Sequence, residues 1–243
     1  MRVLVSGSSG VIGRHLIELI DGDPTLELAG TASSEQFFAA DADGDVLIDF
    51  SHPELTARSL DLACRLGIPA VIGTTGLDEV CAARLDAAGE RIALCVAANF
   101  SLGINLMLAL VARAAAALDA SFDIEITETH HRRKLDAPSG TALALGEAAA
   151  AARGLDLAAC RDDERQSRRA ARPADEIGFQ TIRGGDVAGE HTVHFLGNGE
   201  RLELTHRASE RRIFASGALF AARKLIGRRP GRVEFGSLLV PGD

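Results

Sequence analysis

Short apolar runs alternate with amphipathic stretches over the N-terminal part of the chain. The stretch after the first run places Leu16, Ile17 and Ile20 at helical spacing. Apolar strands separated by helices are typical of a parallel, doubly wound α/β sheet. The strands predicted in this way are Val3–Val5, Leu26–Ala32, Val46–Ser51, Ile68–Ile72 and Ile92–Val96.

The pattern changes at Leu102, where a long apolar helix is predicted to run to Leu118 and to be buried on several sides. Helices are also predicted over Ala142–Ala152 and Ile213–Ile226. Between them, alternating polar and apolar residues suit a sheet that is covered on one face. This antiparallel or mixed sheet is predicted from Phe122–Ile126, Ile177–Ile182, Val187–Phe195 and Arg201–His206, and the chain closes with a short segment, Gly236–Val240.

The charged residues limit what the protein can do. A tract with little apolar content, 161–176, is predicted to be a solvated, mobile loop. The net charge of −8 argues against an extended nucleic-acid surface.

Apolar runs are too short to span a bilayer, and glycines interrupt the N-terminal run, so we expect a cytoplasmic protein without a signal peptide. The four cysteines lack metal-ligand spacing, so reduced thiols and no metal are expected.

A glycine-rich turn follows the first strand and opens the first helix. Its pattern, with Gly7, Gly10 and Gly13, is a variant of the G-x-G-x-x-G dinucleotide fingerprint. The alternative is a glycine-rich turn without a ligand. Position favours nucleotide binding, because the turns at Gly73–Gly76 and Ala97–Ser101 follow two further strands and fall at the same sheet edge.

The end of the second strand bears on which nucleotide binds. An acidic residue there commonly binds the ribose hydroxyls of NAD, but this chain has Ser33 and Ser34, and Glu35 comes only after them. Two hydroxyls can donate to a 2′-phosphate, and Arg14 can add charge. We therefore expect NADPH to be accepted at least as well as NADH.

The stretch Glu128–Thr141 concentrates the polar chemistry of the second half. Ser139 is a predicted N-cap, and the N–H groups of Gly140 and Thr141 behind it, at the start of the helix, suit a carboxylate. A histidine there can move a proton near neutral pH. Among 26 basic residues only Lys134 and Lys224 are lysine, which indicates a need for a compact ammonium. The alternative is a polar surface loop before a capped helix.

Together these segments resemble the 4-hydroxy-tetrahydrodipicolinate reductase family, also called dihydrodipicolinate reductases. The resemblance runs nearly from end to end, and the stretch around Lys134 is its most specific part. The matching motifs are Gly7–Gly13, Asp49–Pro53, Gly73–Gly76, Asn99–Gly103, His130–Ala142, Arg183–Thr192 and Leu202–Ser209.

The resemblance implies an N-terminal Rossmann-type doubly wound parallel sheet with an inserted α+β domain for substrate binding and oligomerisation. The dinucleotide-binding domain is then expected over 1–101 and 211–243, and the inserted domain over 102–210. A homotetramer built through the inserted sheet is also implied.

The resemblance also implies roles for individual residues. His130 is expected to donate a proton, and Lys134 to be a second acid that also holds negative charge. Substrate contacts are expected at His131, Lys134, Gly140 and Thr141. Contacts to NADPH or NADH are expected at Gly7, Ser8, Ser9, Gly10, Val11, Ile12, Gly73, Thr74, Thr75, Ala97, Ala98, Asn99 and Phe100, and the strand end adds Ser33 and Ser34.

The implied activity is reduction of 4-hydroxy-tetrahydrodipicolinate to 2,3,4,5-tetrahydrodipicolinate in lysine and diaminopimelate biosynthesis, with NADPH or NADH. The substrate is a cyclic dicarboxylate with an imine, which loses water before hydride adds to the conjugated system. Two alternatives stay open. A non-catalytic dinucleotide sensor would need the glycine turn but not His130 with Lys134, and the chain could instead reduce another imine or semialdehyde.

Overall fold

The chain forms two compact units in a computed structural model, which describes residues 1–239 apart from the side chain of Gln166. The first unit contains Met1–Leu102 and the segment that begins at Arg211, and the second contains Gly103–Glu210. The division differs from the predicted domains only in the assignment of Leu102. Val240, the last residue of the predicted end segment, lies outside the described residues.

The first unit is built on a parallel sheet of six strands. The helices of this unit are α1 (Val11–Asp21), α2 (Pro53–Leu66), α3 (Glu79–Gly89) and α7 (Arg212–Leu225). The strands are β1 (Arg2–Ser6), β2 (Glu27–Ala32), β3 (Val46–Asp49), β4 (Ala70–Ile72), β5 (Ala93–Val96) and β11 (Gly231–Arg232), and their order in the sheet is β11-β5-β4-β3-β1-β2. Five match predicted strands, whereas β11 was missed because it is two residues long and carries no apolar run.

Alternation along β1 divides the core of this unit into two layers. Val3 and Val5 pack with Leu16 of α1 and with α7, while Leu4 packs on the other face with α2 and α3. Helices therefore cover both faces of the sheet, and the predicted doubly wound α/β fold is confirmed.

The second unit contains a mixed sheet of five strands. The strands are β6 (Asp123–His130), β7 (Arg161–Asp162), β8 (Ile177–Arg183), β9 (Gly189–Leu196) and β10 (Arg201–Ala208). Their order in the sheet is β10-β9-β6-β8-β7, and the central strand, β6, runs antiparallel to β9 and parallel to β8. The helices are α4 (Leu102–Ala117), α5 (Gly140–Ala152) and α6 (Leu157–Cys160).

The prediction that α4 is buried on several sides was wrong. Only one stripe, which includes Ile104, Met107 and Val111, packs in the core with the apolar face of the sheet. Leu106 and Leu110 are 48% and 44% exposed on the opposite side of the helix. Among the described residues, no helix is both long and apolar enough to cross a membrane.

The charged tract 161–176 was expected to be a solvated, mobile loop, but it has defined structure. It adds β7 to the sheet edge and forms a short 3₁₀ helix, Arg165–Ser167. Two of its carboxylates, Asp162 and Glu176, are buried and paired with arginines of the same tract. Arg172 reaches back to the carboxylates of Asp123 and Glu125 on β6. Ion pairing therefore replaces the missing apolar contacts.

Gly217 allows α7 to pack directly on the main chain after β5. A Cβ added at this glycine would lie 1.7 Å from the carbonyl oxygen of Phe100. We expect Gly217→Ala to lower the free energy of unfolding by at least about 2 kcal/mol, because backbone must move to relieve the overlap. The chain has no Trp or Tyr, so urea unfolding should be followed by far-UV circular dichroism.

Gly236→Ala is the matched control, since a Cβ at this position meets no atom within 4 Å. The control should change the free energy of unfolding by less than about 0.5 kcal/mol. Equal midpoints for the two variants would contradict the packing role of Gly217.

Candidate active site

The glycine turn after β1 has the geometry of a phosphate-binding turn. Gly7 has φ of +83°, and its N–H donates to the carbonyl oxygen of Ala32 at 2.9 Å. The hydroxyl of Ser8 donates to the same carbonyl at 3.0 Å. Gly10 precedes α1, whose first turn has no acidic residue. The helix therefore presents unpaired N–H groups, including those of Val11 and Ile12, without a side chain that repels an anion.

Close approach of the main chain explains the third glycine of the turn. A Cβ at Gly13 would lie 2.1 Å from the carbonyl oxygen of Gly7, and a Cβ at Gly7 would lie 2.2 Å from that of Phe50. The departure from the usual glycine spacing therefore leaves the turn tight. Arg14 donates through Nη1 to the carbonyl oxygen of Ser9 at 2.8 Å, which holds its guanidinium against the turn.

The turn after β4 is supported by a buried carboxylate. The hydroxyl of Thr74 donates to Asp49 Oδ1 at 3.1 Å and accepts from the N–H of Ser51 at 2.8 Å. Asp49 is fully buried, and burial raises the pKa of its carboxyl. Gly73 leaves room for the ring of Phe50, which would lie 2.2 Å from an added Cβ. Thr75 is exposed at the end of the turn.

The turn after β5 divides into an exposed part and a buried part. Ala98 is exposed, and Ala97 and Asn99 are half-buried. Asn99 Oδ1 accepts from the N–H of Ser101 at 2.8 Å, which fixes the turn. The ring of Phe100 is 1% exposed and packs against Phe235. Ala97, Ala98 and Asn99 are therefore accessible to a ligand, whereas Phe100, for which a cofactor contact was expected, is buried.

The end of β2 presents hydroxyls rather than a carboxylate. Ser33 Oγ accepts from the N–H groups of Glu35 and Gln36 at 3.2 and 3.4 Å, so its hydrogen remains able to donate. Ser34 is exposed. These positions suit a ribose 2′-phosphate as well as a hydroxyl.

In the second unit, the polar residues gather at the end of β6. Alternation places Glu128 and His130 on the face of the strand that also carries Ile124 and Ile126. Glu128 is 1% exposed and His130 is 8% exposed. His130 Nδ1 lies 2.5 Å from Glu128 Oε2. A carboxylate on the apolar face is costly to bury, and it must therefore be paired.

Arg183, at the end of β8, supplies the main partner of Glu128. Its Nη1 donates to Oε2 at 2.7 Å, and its Nη2 donates to Oε1 at 2.8 Å. The N–H of Ser139 and the hydroxyl of Thr181 also donate to Oε1, at 3.1 and 3.3 Å. Burial raises the pKa of Glu128, but the hydrogen bonds from His130 and Arg183 outweigh it and lower the pKa to about 2. Glu128 is therefore ionised throughout the physiological range.

The loop that carries Lys134 is tied to the end of β8. Arg183 Nη2 donates to the carbonyl oxygen of Asp136 at 2.6 Å. The N–H of His131 donates to the carbonyl oxygen of Val187 at 2.8 Å. Within the loop, Lys134 Nζ pairs with Asp136 Oδ2 at 2.8 Å, and this pairing lowers the pKa of the Asp136 carboxyl. An incoming anion would have to displace the Asp136 carboxylate from the ammonium of Lys134.

Ser139 is the N-cap of α5, as predicted from the sequence. Its Oγ accepts from the N–H of Ala142 at 3.1 Å. Gly140 is exposed and Thr141 is half-buried, so the first turn of α5 is accessible beside the loop of Lys134. A Cβ at Gly140 would meet nothing within 4 Å, which leaves open space at the helix N-terminus. This space suits a carboxylate.

His191, on β9, completes the cluster. It lies opposite Glu128 in the strand register, and its ring packs edge-on to that of His130 with 5.1 Å between the centroids. Its Nε2 lies 3.0 Å from Ser139 Oγ. Burial, together with the charge of His130, lowers the pKa of His191 to about 4. His191 is therefore neutral near pH 7.

The sequence predicts roles for His130 and Lys134 but none for Glu128, Arg183 or His191. Their signal was present in part, because a glutamate two residues before a histidine shares its strand face. The pairing with Arg183 could not be read from the sequence, since it joins residues 55 positions apart. Among the described residues, no group of three or more His, Cys, Asp or Glu could hold a metal ion.

Comparison with known proteins covers both units. The family model described as dihydrodipicolinate reductase, N-terminus, matches residues 1–100, and the one described as dihydrodipicolinate reductase, C-terminus, matches residues 103–239. Two relatives carry the name 4-hydroxy-tetrahydrodipicolinate reductase. The protein from Thiobacillus denitrificans is 43% identical, and the one from Alkalilimnicola ehrlichii is 46% identical, each with 98% of both chains covered.

Solved structures share the fold at lower identity. Dipicolinate-bound dihydrodipicolinate reductase from Paenisporosarcina sp. TG-14 superposes with a TM-score of 0.77 at 24% identity, over 96% of this chain and 97% of that chain. A C. glutamicum DAP dehydrogenase in complex with DAP superposes with a TM-score of 0.54 at 16% identity, over 100% of this chain and 96% of that chain. The matches to both family models and the identity to full-length relatives show that the chain belongs to the dihydrodipicolinate reductase family.

Proposed function

We propose that the chain is an NAD(P)H-dependent 4-hydroxy-tetrahydrodipicolinate reductase of lysine and diaminopimelate biosynthesis. The observation that carries the proposal is the pairing of a proton donor with an anion site in the second unit. His130 is held by Glu128 at 2.5 Å, beside the loop of Lys134 and the open N-terminus of α5. Family membership supports the substrate, a cyclic dicarboxylate with an imine.

His130 is the proton donor in this proposal. The bound nicotinamide supplies a hydride, and the electrons that arrive with it require a proton. His130 Nδ1 faces Glu128, so Nε2 is the nitrogen that is left to face the substrate. The N–H bond at Nε2 breaks, its electron pair stays on the ring, and the proton passes to the substrate. The low pKa of His191 excludes that histidine from the same task near pH 7.

Lys134 and the N-terminus of α5 hold the carboxylates of the substrate. The ammonium of Lys134 exchanges the Asp136 carboxylate for a substrate carboxylate and can supply a second proton. The N–H groups of Gly140 and Thr141, at the start of α5, receive a carboxylate together with His131. Side chains and helix N–H groups thus each bind part of the negative charge of the substrate.

The nucleotide is held by the first unit. The glycine turn at Gly7–Ile12 binds the pyrophosphate at the N-terminus of α1, and the turns after β4 and β5 contact the nicotinamide half. Ser33 and Ser34 receive the ribose, and NADPH is accepted at least as well as NADH. Assembly into a homotetramer and a cytoplasmic location complete the proposal. Turnover of NADPH and NADH with freshly prepared substrate, beside a panel of other imines and semialdehydes, tests it.

Replacing His130 tests the proton donor. Its loss should lower turnover by about 10²–10⁴-fold, the usual contribution of a positioned general acid. We expect His130→Gln to show this loss while the Kd for the cofactor stays within about twofold, measured by cofactor titration. His194→Gln, on the same sheet with its side chain near Thr127, is the control. Turnover at the wild-type level in His130→Gln would remove this residue from the mechanism.

Replacing Lys134 by arginine separates proton transfer from charge. Arginine keeps the positive charge but is larger and does not release its proton. We expect Lys134→Arg to lower kcat by at least about tenfold, measured under saturating substrate. Lys224→Arg, which changes the other lysine of the chain, should leave kcat unchanged. A raised KM with normal kcat would restrict Lys134 to binding.

The residues at the end of β2 predict the ratio of kcat/KM for NADPH to kcat/KM for NADH. Since no carboxylate repels a 2′-phosphate at Ser33 or Ser34, kcat/KM with NADPH should equal or exceed that with NADH at matched ionic strength. Ser34→Asp should shift the ratio toward NADH by at least about tenfold, equivalent to about 1.4 kcal/mol, and Ser34→Asn should not. A wild-type preference for NADH above about tenfold would show that an acid such as Glu35 occupies the ribose site.

A further inference from the structure

The carboxylate of Glu128 has no assigned part in the reaction, yet it is the most extensively hydrogen-bonded group of the second unit's polar cluster. Four residues donate to its two oxygens: His130, Arg183, Ser139 and Thr181. They come from β6, from β8 and from the N-cap of α5. Arg183 balances the charge of Glu128, and Ser139 and Thr181 satisfy further lone pairs of its oxygens. The ring of His130 is the one donor that belongs to the reaction.

We propose that Glu128 is a positioning residue that fixes the tautomer of His130, keeping hydrogen on Nδ1 so that Nε2 is the nitrogen that releases the proton. The proposal rests on the proposed role of His130 as donor. It adds the group that determines which nitrogen acts.

The hydrogen bond between Glu128 and His130 persists through the proton transfer. An ionised carboxylate can only accept, so the hydrogen between Glu128 and His130 belongs to Nδ1. A doubly protonated ring that gives up its Nε2 hydrogen becomes the neutral Nδ1–H tautomer, which still donates to Glu128. The ring therefore has no reason to turn or to exchange protons during the step.

The other charged and titratable groups near the ring support the same tautomer. Arg183 holds both oxygens of Glu128 by two N–H donors, which prevents the carboxylate from rotating. His191, on β9, is neutral and engages Ser139 rather than Glu128. Lys134 is paired with Asp136. Glu128 is thus the one carboxylate, among the described residues, within hydrogen-bond distance of His130.

Glu128→Gln should reverse the tautomer. Oε1 accepts from Arg183, Ser139 and Thr181, and these donors will retain the single oxygen of a glutamine. The amide NH₂ then replaces Oε2, which lies beside His130 Nδ1 and also accepts from Arg183 Nη1, so the guanidinium loses one of its two hydrogen bonds to this side chain. Because an NH₂ group donates, the neutral ring must accept at Nδ1 and carry its hydrogen on Nε2. The change removes no side-chain volume.

The tautomer can be read directly from ¹⁵N chemical shifts of the histidine ring in the full chain, without substrate. The signals of His130 are those that vanish in His130→Gln. Wild-type protein should show the Nδ1–H form of neutral His130, and Glu128→Gln should show the Nε2–H form. Glu125→Gln is the control, because Glu125 lies on the same strand but its carboxylate pairs with Arg172 on the other face. The control should leave the His130 shifts unchanged.

Kinetics then link the tautomer to the reaction. We expect Glu128→Gln to lower kcat by at least about 10²-fold, as for loss of a general acid, with KM and the cofactor Kd within about threefold. A normal kcat in Glu128→Gln would overturn the proposal and leave the reductase function standing. An Nε2–H tautomer in the wild-type protein would overturn it without any variant, even if Glu128→Gln failed to fold. Absence of wild-type turnover would instead reject the proposed function, and the wild-type tautomer would still decide whether Glu128 fixes the ring.

Discussion

The buried carboxylate of Glu128 is the contact on which the second unit's polar cluster depends. It joins the end of β6 to the end of β8 through Arg183 and to the start of α5 through the N–H of Ser139. The same arginine holds the carbonyl oxygen of Asp136, so the loop of Lys134 is fixed by the partner that neutralises Glu128. Removing one member of a buried pair leaves the other charge uncompensated, which typically costs several kcal/mol. The arrangement of the cluster and the stability of the second unit therefore both depend on Glu128.

In the first unit the glycine turn is held by close packing of the main chain, whereas in the second unit the polar cluster is held by ion pairs. Glycines at 7 and 13 bring the carbonyl groups of the turn into contact with α1 and with the end of β3. No side chain could be added there without moving the backbone. The result is a rigid turn with free N–H groups, which is what an anion at a helix N-terminus requires. The buried Asp49 supports the neighbouring turn through Thr74 in a similar way.

Much of this architecture could be predicted from local sequence patterns. Buried parallel strands such as β3 appear as apolar runs, and the N-cap at Ser139 is a local feature. The two-residue strands β7 and β11 have no such pattern, because a partner strand defines them. The structure of 161–176 depends on buried carboxylates at Asp162 and Glu176 that pair with arginines of the tract. In the same way, the sequence predicts His130 as a site residue, but the contact between its ring and Glu128 depends on the fold.

The contrast between buried and exposed positions has a consequence for how relatives can diverge. Glu128 and Arg183 share their hydrogen bonds in a site where Glu128 is 1% exposed, so a change at either position alone would leave a charge without its partner. The two positions are expected to covary or to stay fixed as a pair. Ser34 is exposed at the end of β2, and Ser33 is bonded only within its own turn. On the proposal that these serines receive the ribose, nucleotide preference can change through single substitutions there, while the pair of Glu128 and Arg183 stays constrained.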